Sequence, residues 1–423
     1  MNLREKLFPE NRLGLGRFWN FSRGGIDNFR SGLRDAVSGV EQTRSRMMDY
    51  DQLLVWAVLS LALIGLVMVY SASITLADGP KYANYSSNFF LIRHCISLAI
   101  AIGVAIWVFK IPTTVWDRYS AIIFGFTVLL LIMVLIPGLG KGVNGAKRWI
   151  PLGLMNFQPS ELMKFAAVIF AASYTVKRQE YLHSFVKGML PMGIAVALVG
   201  GLLMAEPDMG ALVVISLIAF GILFLGGINA KLFGGLLVVG ILSAVTIIAL
   251  SPFRQKRIMA FIDPWQVDNA ANKGYQLTHS LMAFGRGEWF GVGLGGSVEK
   301  LHYLPEAHTD FIMAVIGEEL GFVGVVVMIF LFYWIVRRAF LIGRTALQLD
   351  RSFAGLAAKG VAIWIGWQAF INMGVNLGLL PTKGLTLPLV SYGGSGILMN
   401  AVALAMLLRI DYENRILMRG GKL

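Results

Sequence analysis

Between Leu304 and Gly321 the chain reads LPEAHTDFIMAVIGEELG, and a polar run carrying Glu306, His308, Thr309 and Asp310 passes without a linker into an apolar helical pattern. A carboxylate therefore stands where a loop enters a membrane, the boundary at which water-soluble chemistry can meet a lipid-bound substrate. A structural role competes for it: Thr309 or Asp310 could cap the helix, because a short oxygen-bearing side chain satisfies the free N–H groups of a first turn. Inside the same helix, Glu318 and Glu319 are ionisable groups in a span and so functional suspects, unless they line an aqueous cavity or pair with a neighbouring helix.

Membrane residence follows from composition. Of 423 residues 56% are hydrophobic and 14% charged, and mean hydropathy is +0.67, far beyond what a soluble core uses. The net charge of +13 would suit nucleic acid, but the basic residues are dispersed at the ends of apolar segments, as anchoring to anionic lipid requires. No nucleic-acid partner is expected. A single cysteine, Cys95, excludes an intramolecular disulfide or a cysteine metal site. The first fifty residues lack an apolar h-region and carry nine basic residues from Arg4 to Arg46, so no cleaved signal is expected and this segment should stay in the cytoplasm.

A span needs about 20 apolar residues, and about ten segments fit: 53–72, 89–109, 119–136, 160–176, 188–204, 209–226, 232–250, 311–336, 355–376 and 389–408. The expected fold is an all-α polytopic membrane protein: a cytoplasmic segment 1–48, a ten-helix membrane domain 49–410 and a cytoplasmic tail 411–423. An even span count returns the C-terminus to the cytoplasm. Lys110, Arg118, Lys177, Arg178, Lys231, Arg337, Arg338, Arg344, Arg351, Arg409, Arg415 and Arg419 then fall on the side that the positive-inside rule demands. The long extracytoplasmic loop 251–309, between spans seven and eight, lies outside with Lys141, Lys147, Arg148 and Lys383. Charge bias gives those residues no reason to be there. Snorkelling to headgroups would account for them, and so would an anionic ligand such as a lipid phosphate.

Breakers interrupt the pattern at 136–161, where glycines and prolines preclude a regular helix and a structured re-entrant or surface loop is expected. Glu206, Pro207 and Asp208 form a turn whose carboxylates could hold a cation or start the next helix, and Asp208 leading MGALVV favours the helix start. LLPTKGLTLPLVSYGGSG before the last span is a backbone tolerable at membrane depth only if it is buried in protein or lines a cavity. Asp49-Tyr50-Asp51 matches the D-x-D of sugar-nucleotide transferases, but its place at a helix mouth makes a helix start the better role. Gly291, Gly293 and Gly296 match G-x-G-x-x-G without a preceding strand, and no P-loop exists, so ATP hydrolysis is not expected.

Four stretches carry a family resemblance: GAKRWIPLGLMNFQPSELMK (145–164), EPDMG (206–210), GYQLTHSLMAFGRGEWFGVGLGGSVEKLHYLPEAHTDFIMAVIGEELG (274–321) and LPTKGLTLPLVSYGGSG (380–396). In this order they resemble the SEDS family of polytopic peptidoglycan polymerases, over about residues 50–415. TKG before LTLP, the AFGRG loop and the terminal LLRIDYE are similar to its cell-division branch. Glu206, where glutamine is common, and Gly396, in place of a frequent second serine, depart from the family pattern.

The resemblance implies a glycosyltransferase that joins lipid II units into glycan strands on the outer face of the bacterial inner membrane, at the division septum. Its implied partners are undecaprenyl-diphosphate-linked glycan, a class B penicillin-binding protein transpeptidase and other divisome membrane proteins. The family's essential aspartate falls on Asp310, and its substrate-proximal basic positions on Arg148 and Lys383. Lys147, Glu306, His308 and Ser391 complete the expected substrate-binding set. A divalent cation, Mg or Mn, could supplement the basic residues at the diphosphate, but the sequence spells out no ligand set. Transfer from a diphosphate needs no general acid; it needs a base for the attacking hydroxyl, Asp310, and positive charge to hold the leaving group, Arg148 and Lys383. A helix N-terminus and nearby cations lower the pKa of Asp310 whereas desolvation raises it; the sequence leaves that balance open. A lipid II flippase and a non-catalytic scaffold for the transpeptidase are the alternatives. Polar residues gathered at one membrane face favour surface chemistry.

Overall fold

Inside a bilayer the backbone must satisfy its own hydrogen bonds, so apolar stretches become helices. The computed structural model describes residues 49–78, 86–143, 146–151, 156–270, 272 and 274–422; the expected cytoplasmic segment 1–48 lies outside the described residues. The first seven long helices are α1 (Gln52–Ser73), α2 (Phe89–Phe109), α3 (Thr113–Leu135), α4 (Pro159–Lys177), α5 (Leu190–Ala205), α6 (Met209–Leu225) and α7 (Ala230–Ala249). Three surface helices follow, α8 (Pro252–Ile262), α9 (Val267–Ala270) and α10 (Tyr275–Gly287), and then α11 (Ile312–Gln348), α12 (Ser352–Asn376) and α13 (Gly394–Met418).

Among the described residues eight helices are long and apolar enough to cross a bilayer, counting α5 with the π-helical turn Phe185–Met189 that leads into it. The shorter α6 and the more polar α4 bring the set to the ten segments expected, and α4 is buried along nearly its whole length. The least apolar spans, α12 and α13, are the most enclosed, whereas the strongly apolar α7 has no buried residue in its span. That inversion of a soluble protein follows from the solvent: lipid tails offer polar groups nothing, so helices carrying them go inside.

The breaker-rich segment after α3 is a small antiparallel sheet, so the fold is not helical throughout. Its strands, β1 (Lys141–Val143), β2 (Ala146–Pro151) and β3 (Asn156–Phe157), lie in the order β1-β2-β3. Lys147 pairs with Gly142, and Ile150 with Phe157.

Helix α11 runs 37 residues and breaks at Gly321, whose φ of 66° is left-handed. Residues 288–293 repair the break: Val292 N–H donates to Glu318 O at 3.0 Å, Gly293 N–H to Glu319 O at 3.1 Å and Phe322 N–H to Glu288 O at 2.9 Å. A Cβ on Gly291 would stand 2.1 Å from Glu319 O. Of the glycines of the apparent nucleotide motif, Gly291 thus serves close backbone packing and Gly293 a left-handed φ of 92°. The suspected Glu318 and Glu319 are hubs of the same junction. Glu318 accepts from Arg286 Nη1 at 3.0 Å and Val298 N–H at 2.9 Å. Glu319 accepts from Lys300 Nζ at 2.7 Å and Ser71 Oγ at 2.7 Å, tying α1 and the long loop to α11.

Breaking a buried pair leaves a bare charge and costs about 3–5 kcal/mol, whereas replacing both members is close to neutral. Lys300→Met should therefore lower the thermal unfolding midpoint of the purified protein sharply, and adding Glu319→Met should recover most of the loss. Additive losses would show that the two groups are not a unit.

Candidate active site

Chain before α11 makes a tight turn in which Glu306 adopts a left-handed φ of 58°. Glu306 O accepts from Thr309 N–H at 3.1 Å and Phe311 N–H at 3.2 Å, and Thr309 Oγ1 donates to Glu306 Oε2 at 2.9 Å. Neither Thr309 nor Asp310 caps the helix. The N-cap is Phe311, without a side-chain cap bond, and the N–H of Ala314 in the first turn is taken by Asn376 Oδ1 at 3.1 Å. The same Asn376 donates Nδ2–H to Asp310 O at 3.0 Å, and Asn372 donates to Asp310 O at 2.8 Å. The backbone of Asp310 is fixed by α12, and its carboxylate is released from a structural task.

Asn372 Nδ2 also donates to Leu385 O at 2.6 Å, and Gln368 Nε2 to Thr386 O at 2.9 Å. Gln368, Asn372 and Asn376 recur every four residues, which puts them on one face of α12, and that face grips both the Asp310 turn and the 377–393 loop. Behind them, Lys164 Nζ bonds Glu161 Oε1 at 2.7 Å and Gln368 Oε1 at 2.8 Å. The loop reaches Asp310 at Gly384, where a Cβ would stand 3.1 Å from Asp310 Oδ2. A side chain at position 384 would crowd the carboxylate.

Opposite these, the 206–208 turn carries the sheet. Arg148, on β2, donates Nε–H to Glu206 O at 3.0 Å and a second N–H to Pro207 O. Asp208 starts α6 as expected, accepting from Ala211 N–H at 3.2 Å, and its other oxygen accepts from Ser160 Oγ at 3.1 Å. Glu206 is fully buried, and neither of its carboxylate oxygens has a hydrogen-bond partner among the described residues.

Charge at the site is unevenly divided. Burial pushes the Asp310 carboxyl from the ordinary aspartate range up to about 7, Glu306 and Asp208 push the same way, and Arg148 opposes them. Desolvation thus wins the balance that the sequence left open. Burial with Asp208 pushes Glu206 up to about 8 against Arg148. The Lys383 ammonium is pushed below its ordinary value by burial and by Arg257 and Arg254, and Arg257 is pushed down by burial and by Arg148. Arg148, Arg257, Arg254 and Lys383 thus form a chain of mutually acting cations, with Arg148 also acting on the raised aspartate, and an anion would relieve that repulsion.

The expected site residues fall into two groups. Glu306 and Arg148 both act on Asp310, and Lys383 stands in the loop that reaches Asp310 at Gly384. His308 instead joins the two loops, and Ser391 braces its own. Tyr392 N–H donates to His308 O at 3.0 Å, the buried His308 ring packs 4.8 Å from Phe90 and 5.6 Å from Tyr392, and Ser391 Oγ accepts from Leu387 N–H at 2.8 Å. Lys147 is exposed on β2, and strand alternation turns it away from the Arg148 side. Sequence reading passed over Asn372, Asn376 and Gln368, for which amides at four-residue spacing within a span were the available signal. It gave Arg254 and Arg257 no part in the site, although their three-residue spacing gives them one face of α8. Among the described residues no three His, Cys, Asp or Glu converge as metal ligands.

A family model described as cell cycle protein, covering FtsW, RodA and SpoVE, matches residues 52–416. A Polynucleobacter necessarius protein named Probable peptidoglycan glycosyltransferase FtsW is 91% identical over 423 residues, 100% of both chains. A Burkholderia thailandensis protein of the same name is 65% identical over 391 residues, 92% of this chain and 85% of its own. Among solved structures, a chain from a peptidoglycan synthase complex that coordinates polymerization and crosslinking superposes with a TM-score of 0.72 at 27% identity, over 86% of this chain and 98% of its own. With eight apolar spans among the described residues, its gripped aspartate turn and a match running through nearly the whole membrane unit, the chain belongs to the FtsW/RodA/SpoVE family of cell cycle proteins.

Proposed function

We propose that this chain is a peptidoglycan glycosyltransferase of cell division that polymerises lipid II at the outer face of the bacterial inner membrane, with Asp310 as general base. The observation that carries this reading is the buried Asp310 carboxylate, raised to about 7 with Arg148 acting on it, at a turn that the loop carrying Lys383 reaches at Gly384. A base is most useful when its pKa lies near the working pH, where it is both ionised and able to hold a proton.

Asp310 takes the proton of the attacking sugar hydroxyl as that oxygen bonds to the anomeric carbon of the donor. The bond from that carbon to the diphosphate breaks, and undecaprenyl diphosphate leaves with the electron pair. Fixed positive charge stabilises the leaving group as its charge develops. One carboxylate and a direct displacement invert the anomeric centre, unlike the paired carboxylates of glycosidases. An α-linked lipid diphosphate then gives a β-linked glycan.

The positive-inside pattern and even span count support cytoplasmic termini and an external 251–309 loop, which puts Asp310 on the face where flipped lipid II arrives. The structural likeness to a chain of a polymerizing and crosslinking complex supports pairing with a class B penicillin-binding protein transpeptidase, at the septum where the divisome works.

Purified protein supplied with labelled lipid II should form polymer, and Asp310→Asn should cut the rate on the order of 100-fold or more while monodispersity and transpeptidase binding persist. Arg148→Ala and Lys383→Ala should weaken lipid II binding and polymer formation together. Near-normal synthesis by a folded Asp310→Asn protein would remove the base. For topology, in a Cys95→Ala background, Lys256→Cys should react with an impermeant maleimide in intact spheroplasts and Glu180→Cys only after the membrane is opened. The reverse pattern would move Asp310 to the cytoplasm.

A further inference from the structure

At the end of α11 remote from Asp310, roughly 40 Å away at 1.5 Å rise per residue, α11 and α12 enclose an open groove of about 470 Å³. Arg337, Arg344 and Lys359 line it, with Tyr333, Phe340 and Leu341 among its apolar walls. No carboxylate lines it. Several other arginines at this end are paired inside the protein: Arg338 with Asp51, Arg351 and Arg409 with Glu413, and Arg415 with Asp411. Arg337, Arg344 and Lys359 form no ion pair among the described residues. Arg337 makes only a cation–π contact, 5.7 Å from the Trp334 ring.

We propose that this groove binds the phosphodiester headgroup of an anionic bilayer lipid, with Arg337, Arg344 and Lys359 converging on the phosphate and the acyl chains lying along the apolar face of α11. Snorkelling accounts for a basic side chain at one helix end. It does not account for three that converge on one cavity from two helices. Arg337 and Arg344 stand seven residues apart, two turns on one face, and the half-buried Lys359 reaches the same space from α12, its stem crossing α11 where a Cβ on Gly343 would stand 2.8 Å from Lys359 Cγ. Above the groove, Val326, Phe330 and Tyr333 are exposed, an apolar track continuous with its wall that acyl chains can cover and water cannot. A water-borne anion would gain the charges but not that track, so the observations favour a lipid. The site is separate from the one proposed for catalysis and does not depend on it.

The test is native mass spectrometry of the full-length protein in detergent, titrated with phosphatidylglycerol, phosphatidylcholine or inorganic phosphate. Phosphatidylglycerol should bind saturably at low stoichiometry, and the other two should neither bind comparably nor displace it. At about fivefold per direct hydrogen bond lost, Arg337→Gln, Arg344→Gln and Lys359→Gln together should weaken phosphatidylglycerol on the order of 100-fold. Neutralising Lys110, Lys187 and Lys231, exposed residues outside the groove, should leave it within about twofold, since each would contribute only diffuse attraction. If the triple variant is not monodisperse, Lys359→Gln alone should give the fivefold loss. Equal losses from both sets of residues, unchanged binding in the groove variants, or competition by inorganic phosphate would each overturn the proposal.

Discussion

A chain that leaves helical geometry at membrane depth must find protein partners for the backbone groups it exposes, since lipid supplies none. This protein leaves it at the turn before α11 and again in the 377–393 loop. One face of α12 satisfies both: Asn376 and Asn372 hold Asp310 O, Asn376 takes the N–H of Ala314, and Asn372 and Gln368 hold Leu385 O and Thr386 O. Everything proposed for the site depends on that transfer of duties. A carboxylate used as a cap would be ionised and spoken for. Capping by an amide from a neighbouring helix leaves the Asp310 carboxylate free to take a proton.

The electrostatics follow from the same packing. Enclosure raises Asp310, and its acidic neighbours Glu306 and Asp208 raise it further than Arg148 can lower it. The cations respond in the opposite sense, Lys383 and Arg257 being depressed by burial and by one another's company. A diphosphate would relieve the mutual repulsion of the cations, and the sugar hydroxyl beside it would meet the Asp310 carboxylate. Binding energy and base strength then come from one pre-set field, which costs no reorganisation at the moment of reaction.

How far the sequence reached depended on the kind of signal. Spans announce themselves by apolar length, so all ten were legible, including the polar α4, because a bilayer imposes one periodicity. The little sheet was not, since strands as short as Lys141–Val143 and Asn156–Phe157 leave only breakers to read. Asp310, Glu306, Arg148 and Lys383 could be named because ionisable groups at a membrane boundary are costly and conspicuous. His308 and Ser391 have the same polarity and sit in the same segments, yet His308 joins the two loops and Ser391 bonds within its own, a distinction made only by tertiary contact. Asn372 and Asn376 read as polar blemishes in a span until the turn they hold is in place. Glu318 and Glu319 looked functional by cost and are structural by partnership.

The central claim is that Asp310 is a base whose strength is set by its surroundings, and pH dependence of lipid II polymerisation tests it most directly. An Asp raised in the folded protein is protonated below its pKa, so activity should fall as pH drops through about 7. Glu306→Gln removes the charge that raises Asp310 most after burial itself, and the acidic limb should therefore move to lower pH. A profile flat from pH 5 to 8, or a limb that stays where it was in a folded Glu306→Gln protein, would contradict the account.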